Sequence, residues 1–77
     1  MDESDEVSFV LSQVRESLPA EVFRTCESLV GHGEWEMALS HCVSHLIAVP
    51  SAAKIMLETC ARRLQASNKL MAAIAEL

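Results

Sequence analysis

His41 and His45 stand four residues apart in this 77-residue chain, with Cys42 between them. On a helix the side chains at i and i+4 are neighbours, so two such imidazoles can share a zinc ion. A structural zinc site needs four donors, and here the set does not fill. Cys42 belongs to the apolar stripe of its helix, and no HExxH glutamate or CxxC pair completes the arrangement. The two histidines read as part of a solvated helix face, and neither a metal nor a cofactor is expected.

The candidate nucleophiles are Cys26, Cys42 and Cys60, and each falls on an apolar stripe. Apolar burial raises a thiol's pKa and quiets it. Three is an odd number, one per predicted helix, whereas disulfide-stapled secreted domains carry a dense, even set. The reading is reduced thiols acting as small hydrophobes in a cytoplasmic protein. Glu34 and Glu36 point to different sides of their helix and do not form a carboxylate pair for acid–base work. Gly31-His32-Gly33 is a helix–helix turn rather than a phosphate loop. No catalytic constellation assembles, so the chain is not expected to be an enzyme.

The elements that position these residues follow from composition and period. Half of the chain is hydrophobic, mostly Ala, Leu and Val, with only two glycines and two prolines. Ala, Leu, Met and Glu lose little freedom in a helix, whereas sheets favour β-branched and aromatic residues. Ser4 can cap a first helix whose stripe is Val7, Val10, Leu11, Val14 and Leu18. Pro19 breaks it and opens a second helix to Val30, with Val22, Phe23, Cys26, Leu29 and Val30 inward. A third, from Glu34 to about Ala48, turns Trp35, Ala38, Leu39, Cys42, Val43 and Leu46 to one side. After Pro50 a fourth carries Ala53, Met56, Leu57, Cys60, Ala61 and Leu64, and a last short segment gathers Leu70, Met71, Ile74 and Leu77. Short linkers favour antiparallel neighbours. The expected fold is all-α: one domain over residues 1–77, a compact antiparallel bundle of four helices with a short fifth. Residues 1–4 are free to be disordered.

Three apolar residues break phase: Phe9, Met37 and Ile55 point away from their helices' stripes. Single exposed apolar residues are ordinary, but Phe and Met are also favoured where proteins meet. Trp35 falls within its helix's inward stripe and is assigned to the core rather than to an interface.

Charge narrows the class of partner. Residues 1–49 hold nine acidic and two basic side chains, for −7, while residues 50–77 hold four basic and two acidic, for +2. A nucleic-acid binder needs a cationic footprint, and most of this chain has the opposite sign. No apolar run approaches the ~20 residues that cross a membrane, and the acidic start is the reverse of a secretory signal. An acidic face suits a basic protein partner, which it would steer and orient. The candidate contact residues are Asp5, Glu6, Phe9, Glu27, Glu34, Glu36, Met37 and His41.

The stretch Leu18-Pro19-Ala20-Glu21-Val22, then Cys26-Glu27-Ser28-Leu29-Val30, then Gly33-Glu34-Trp35-Glu36-Met37-Ala38-Leu39 resembles the MafI-like family of small bacterial immunity proteins. That family shows an "LP-E" helix start, a leucine-containing helix, a "GE-(W/Y)" turn and an "AL" helix. The likeness covers roughly residues 7–66. Where the family usually has an acidic, aromatic-bearing segment after the "AL" helix, this chain has Leu46-Ile47-Ala48-Val49-Pro50. The resemblance implies an antidote that binds and neutralises a cognate protein toxin, often a nuclease, delivered by neighbouring cells. The alternative reading from the residues is an acidic helical adaptor or secretion chaperone that holds a protein client.

Overall fold

The structure is a computed structural model and describes residues 2–77. Five α-helices follow one another: α1 (Glu3–Val14), α2 (Ala20–Gly31), α3 (Trp35–His45), α4 (Ser51–Arg63) and α5 (Asn68–Ala75). A 3-10 turn over Arg15–Ser17 joins α1 to α2, and no strand occurs among the described residues. The chain is all-helical and compact, with principal extents of 27 × 27 × 20 Å. The most extensive helix pair is α2 against α3; α1 touches α2, α3 and α4, while α5 closes against α3 and α4.

Most of the inward stripe positions are buried. Val7, Val10, Leu11 and Val14 come from α1, Phe23, Cys26 and Val30 from α2, and Ala38, Leu39, Cys42 and Val43 from α3. Leu57, Cys60 and Ala61 of α4 and Leu70 and Ile74 of α5 complete one cluster. Each fully buried leucine in it contributes about 1.5–3 kcal/mol. Trp35 is only half-buried, packed against the edge of this cluster. It is the first residue of α3, so no preceding turn of its own helix closes over it.

The helix ends differ from expectation in three places, each for an identifiable reason. Asp2, not Ser4, caps α1, its carboxylate accepting the Asp5 N–H at 2.9 Å. Asp2 to Ser4 therefore belong to the start of α1, and Met1, the remainder of the segment expected to be disordered, lies outside the described residues. Helix α1 does not continue to Leu18. Pro19 disfavours a helical residue before it, so the chain tightens into the 3-10 turn and leaves Leu18 extended, its N–H donating to the Arg15 carbonyl at 3.1 Å. Helix α3 stops at His45 rather than Ala48. Leu46 is extended, and the Ile47 N–H leaves the helix to donate to the Ser17 carbonyl at 3.1 Å.

At the α2–α3 turn Gly33, not Gly31, takes the left-handed conformation, with φ +78°. The Glu34 N–H donates to Leu29 at 2.9 Å and the Gly33 N–H to Val30 at 3.0 Å, the paired bonds of a Schellman cap. The end of α4 repeats the pattern with Gln65 at φ +59°: the Ala66 N–H donates to Ala61 and the Gln65 N–H to Arg62. Ser67 then caps α5. Lys54 Nζ donates to the carbonyls of Ala75 (3.1 Å) and Leu77 (3.5 Å), which places a cation at the C-terminal end of α5 and ties it to α4.

Candidate functional site

Helix α3 turns its Ala38/Leu39/Cys42/Val43 side to the core, which leaves Met37, 56% exposed, on the opposite side. Three residues fix its surroundings: Glu36 one residue before, His41 four residues on, and Leu29 reaching across from α2. With Ser40 and Ser44 they line a shallow depression of about 430 Å³. Ser44 donates its hydroxyl to the Ser40 carbonyl at 2.9 Å. The His41 and His45 rings lie 4.5 Å apart between centroids, tilted by 49°. His45 Nδ1 is 2.9 Å from the His41 carbonyl oxygen, so it is the donor there and Nε2 is the nitrogen left free. Among the described residues no group of three His, Cys, Asp or Glu is placed to hold a metal ion.

A second site lies between α1 and α4. Glu6, Phe9 and Val10 from α1 and Ala52, Ile55, Met56, Thr59, Cys60 and Arg63 from α4 line a groove of about 510 Å³. The first turn of α1 meets the last turn of α4, where Glu6 and Arg63 pair. Phe9 (54% exposed) and Ile55 (62% exposed) are the apolar side chains that stand out of it. Glu6 is the one acid of the α1 start drawn into the packing. Its side chain is 14% exposed, and Oε1 accepts from the guanidinium of Arg63 at 3.0 Å. Its other oxygen, Oε2, is buried and meets no satisfactory hydrogen-bond donor. Beside it the Cys60 thiol is pushed up to about 12, first by burial, then by a hydrogen bond to Glu6 and by Glu6's charge; Arg63 pulls the other way. An S–H is a weak donor, so this contact does not replace an N–H or O–H for Oε2.

The remaining thiols are equally quiet. Burial and then the nearby Cys26 push Cys42 up to about 12, and burial raises Cys26, whose thiol donates to the Ala38 carbonyl at 3.4 Å. At neutral pH all three stay protonated and poorly nucleophilic.

The eight candidate contact residues thus divide. Glu36, Met37 and His41 share the α3 depression, while Glu6 and Phe9 share the α1–α4 groove. Glu27 lies in a third depression with Arg15, Phe23 and Arg24, where the Arg15 guanidinium sits 4.9 Å from the centre of the Phe23 ring. Asp5 and Glu34 are exposed at helix starts and line none of these hollows. Sequence reasoning missed the role of Arg63 as the partner of Glu6. The signal was present as an unassigned cation at the end of a helix, but pairing it required knowing that α4 lies against α1. It also missed Ile47, 76% exposed, whose exposure follows from the early end of α3. No protein-family model, curated protein or solved structure matches this chain.

Proposed function

We propose that this chain is an immunity protein, a small helical module of the cytoplasm that binds and neutralises a cognate protein toxin by stoichiometric occlusion. The observation that carries the reading is the α3 depression, where Met37 stands exposed between Glu36 and His41 in a hollow otherwise walled by hydroxyls and Leu29. An apolar anchor ringed by polar groups, one of them an acid, is how a protein interface concentrates its affinity. The excess of seven negative charges over residues 1–49 supports a basic partner, and a nuclease domain, basic so as to hold phosphates, is of that kind. The resemblance of residues 7–66 to MafI-like immunity proteins points the same way. On this reading the helices pack as an antiparallel bundle whose α3 face is presented to the toxin, and the acidic residues Glu34 and Glu36 set the rate of encounter.

Two experiments test it. Co-expression with the product of the gene directly upstream should rescue growth of cells that the toxin alone arrests. Binding in rising salt, with Glu34→Gln/Glu36→Gln and Met37→Ala, should show slower, less salt-dependent association for the acid variant and faster dissociation for the methionine variant. Parental binding by both variants at every ionic strength would overturn the assignment of the face. Binding without rescue would favour an adaptor or secretion chaperone.

A further inference from the structure

We propose that the α1–α4 groove is a self-association surface, on which a second copy of this chain docks about a two-fold axis running along the groove. The proposal is independent of the α3 depression and of the toxin reading. Two apolar side chains on facing helices, Phe9 and Ile55, stand more than half exposed above a floor that includes Val10 and Met56. Charge chooses the occupant. Because Glu6 pairs with Arg63, the acidic first turn of α1 (Glu3, Asp5, Glu6) and the basic last turn of α4 (Arg62, Arg63) lie at the same end of this face. A half-turn about an axis parallel to the helices lays α1 of each copy over α4 of the other and keeps like ends together. Each acidic α1 start then faces the other copy's Arg62 and Arg63, and each Phe9 faces the other copy's Ile55. A half-turn about an axis across the helices would leave these charges unmatched, and a purely basic helix from another protein would meet Arg62 and Arg63.

Size agrees with a modest dimer. Helices of 12 and 13 residues are about 20 Å long and together about 20 Å wide, a projected face of about 400 Å² that corrugated side chains enlarge. The low end of specific interfaces buries about 600 Å² per partner, an eighth of the 4786 Å² this chain exposes. Association in the micromolar range is the expectation.

The test is sedimentation of the full chain from about 1 to 500 μM, a span that brackets micromolar affinity. The mass should rise from 8.4 kDa toward twice that value. Phe9→Asp and, separately, Ile55→Asp should each weaken the dimer at least tenfold, while Met37→Asp should leave it unchanged; circular dichroism confirms that each variant is folded. Asp5→Lys and Arg62→Glu should each weaken self-association, and mixing the two should restore it, because each altered end then meets its opposite. A monomer throughout would overturn the proposal. So would a dimer indifferent to both Phe9→Asp and Ile55→Asp, a dimer lost with Met37→Asp, or a failure of the mixed pair to recover. A monomer whose groove instead captures a basic amphipathic peptide, in a Phe9-dependent way, would assign the face to a foreign helix and overturn it equally.

Discussion

Replacing Glu6 with methionine should stabilise this protein. The carboxylate is nearly enclosed, at 14% exposure, and only one of its oxygens has a strong partner. That partner, Arg63, is itself 69% exposed, so the ion pair is close to a surface pair and worth about 0.2–1 kcal/mol. Glu6 also favours the N-terminal dipole of α1, worth about 0.3–1 kcal/mol and falling off within the first turn. Against these gains stands a buried acceptor without a satisfactory donor, which costs about 1–3 kcal/mol. Methionine has a similar length, is adaptable and fits a groove already lined by Val10 and Met56. Taking central values, the variant gains about 1 kcal/mol, a rise in Tm of roughly 4–8 °C for a domain of this size. The assay is a thermal melt at pH 7, at a concentration low enough to keep the chain monomeric, for Glu6→Met, Arg63→Ala and the double variant. Arg63→Ala alone should lower Tm, because it strips Oε1 as well, while in the Glu6→Met background it should be nearly neutral. A fall in Tm for Glu6→Met would refute the reasoning and show that the Cys60 thiol or water satisfies Oε2 in full.

Two further predictions rest on the turns and on the thiols. Gln65→Gly should raise Tm by a few degrees, since a non-glycine residue held at φ +59° costs about 1–2 kcal/mol, part of which glycine returns as chain entropy; Gly33→Ala, at φ +78°, should lower Tm, and the reverse pair of results would refute the conformational account. Cys42 and Cys60 hold their protons to about pH 12 when folded but release them near pH 8.5 when unfolded, so their contribution to stability is intact below about pH 8.5 and is lost as pH climbs toward 12. Each thiol contributes at most about 1.4 kcal/mol per pH unit over that window, so the urea midpoint should fall between pH 8.5 and 10.5 and Cys42→Ala should flatten the fall; a midpoint independent of pH would contradict it.

The local part of this architecture was legible in the residues. A period of 3.6 assigns each position a direction around its own helix, and the four α1 positions Val7, Val10, Leu11 and Val14 are all buried as their spacing requires. The same rule placed Phe9, Met37 and Ile55 outside, where they are found. Pro19, the Gly31–Gly33 turn and Pro50 marked the boundaries because each alters φ or removes a donor within its own residue. Ends decided by other segments were not legible. Helix α3 stops early because the Ile47 N–H is claimed by Ser17, thirty residues away, and nothing near Ile47 encodes that bond. Trp35 shows the same limit: phase told its direction, but its depth depended on what lay across from the first residue of α3.

The candidate surfaces divide along the same line. Glu36, Met37 and His41 share one helix, so their proximity follows from its geometry and could be read from sequence. Phe9 and Ile55 lie 46 residues apart, as far from mutual influence in sequence as α1 is from α4. Only the packing of those helices makes one groove of two stray apolar residues, turns Glu6 from a solvated acid into a nearly buried one, and sets Arg63 over it. Periodicity is a property of one helix and carries no information about its neighbour. Which faces meet is settled by the shape and charge of all five helices together.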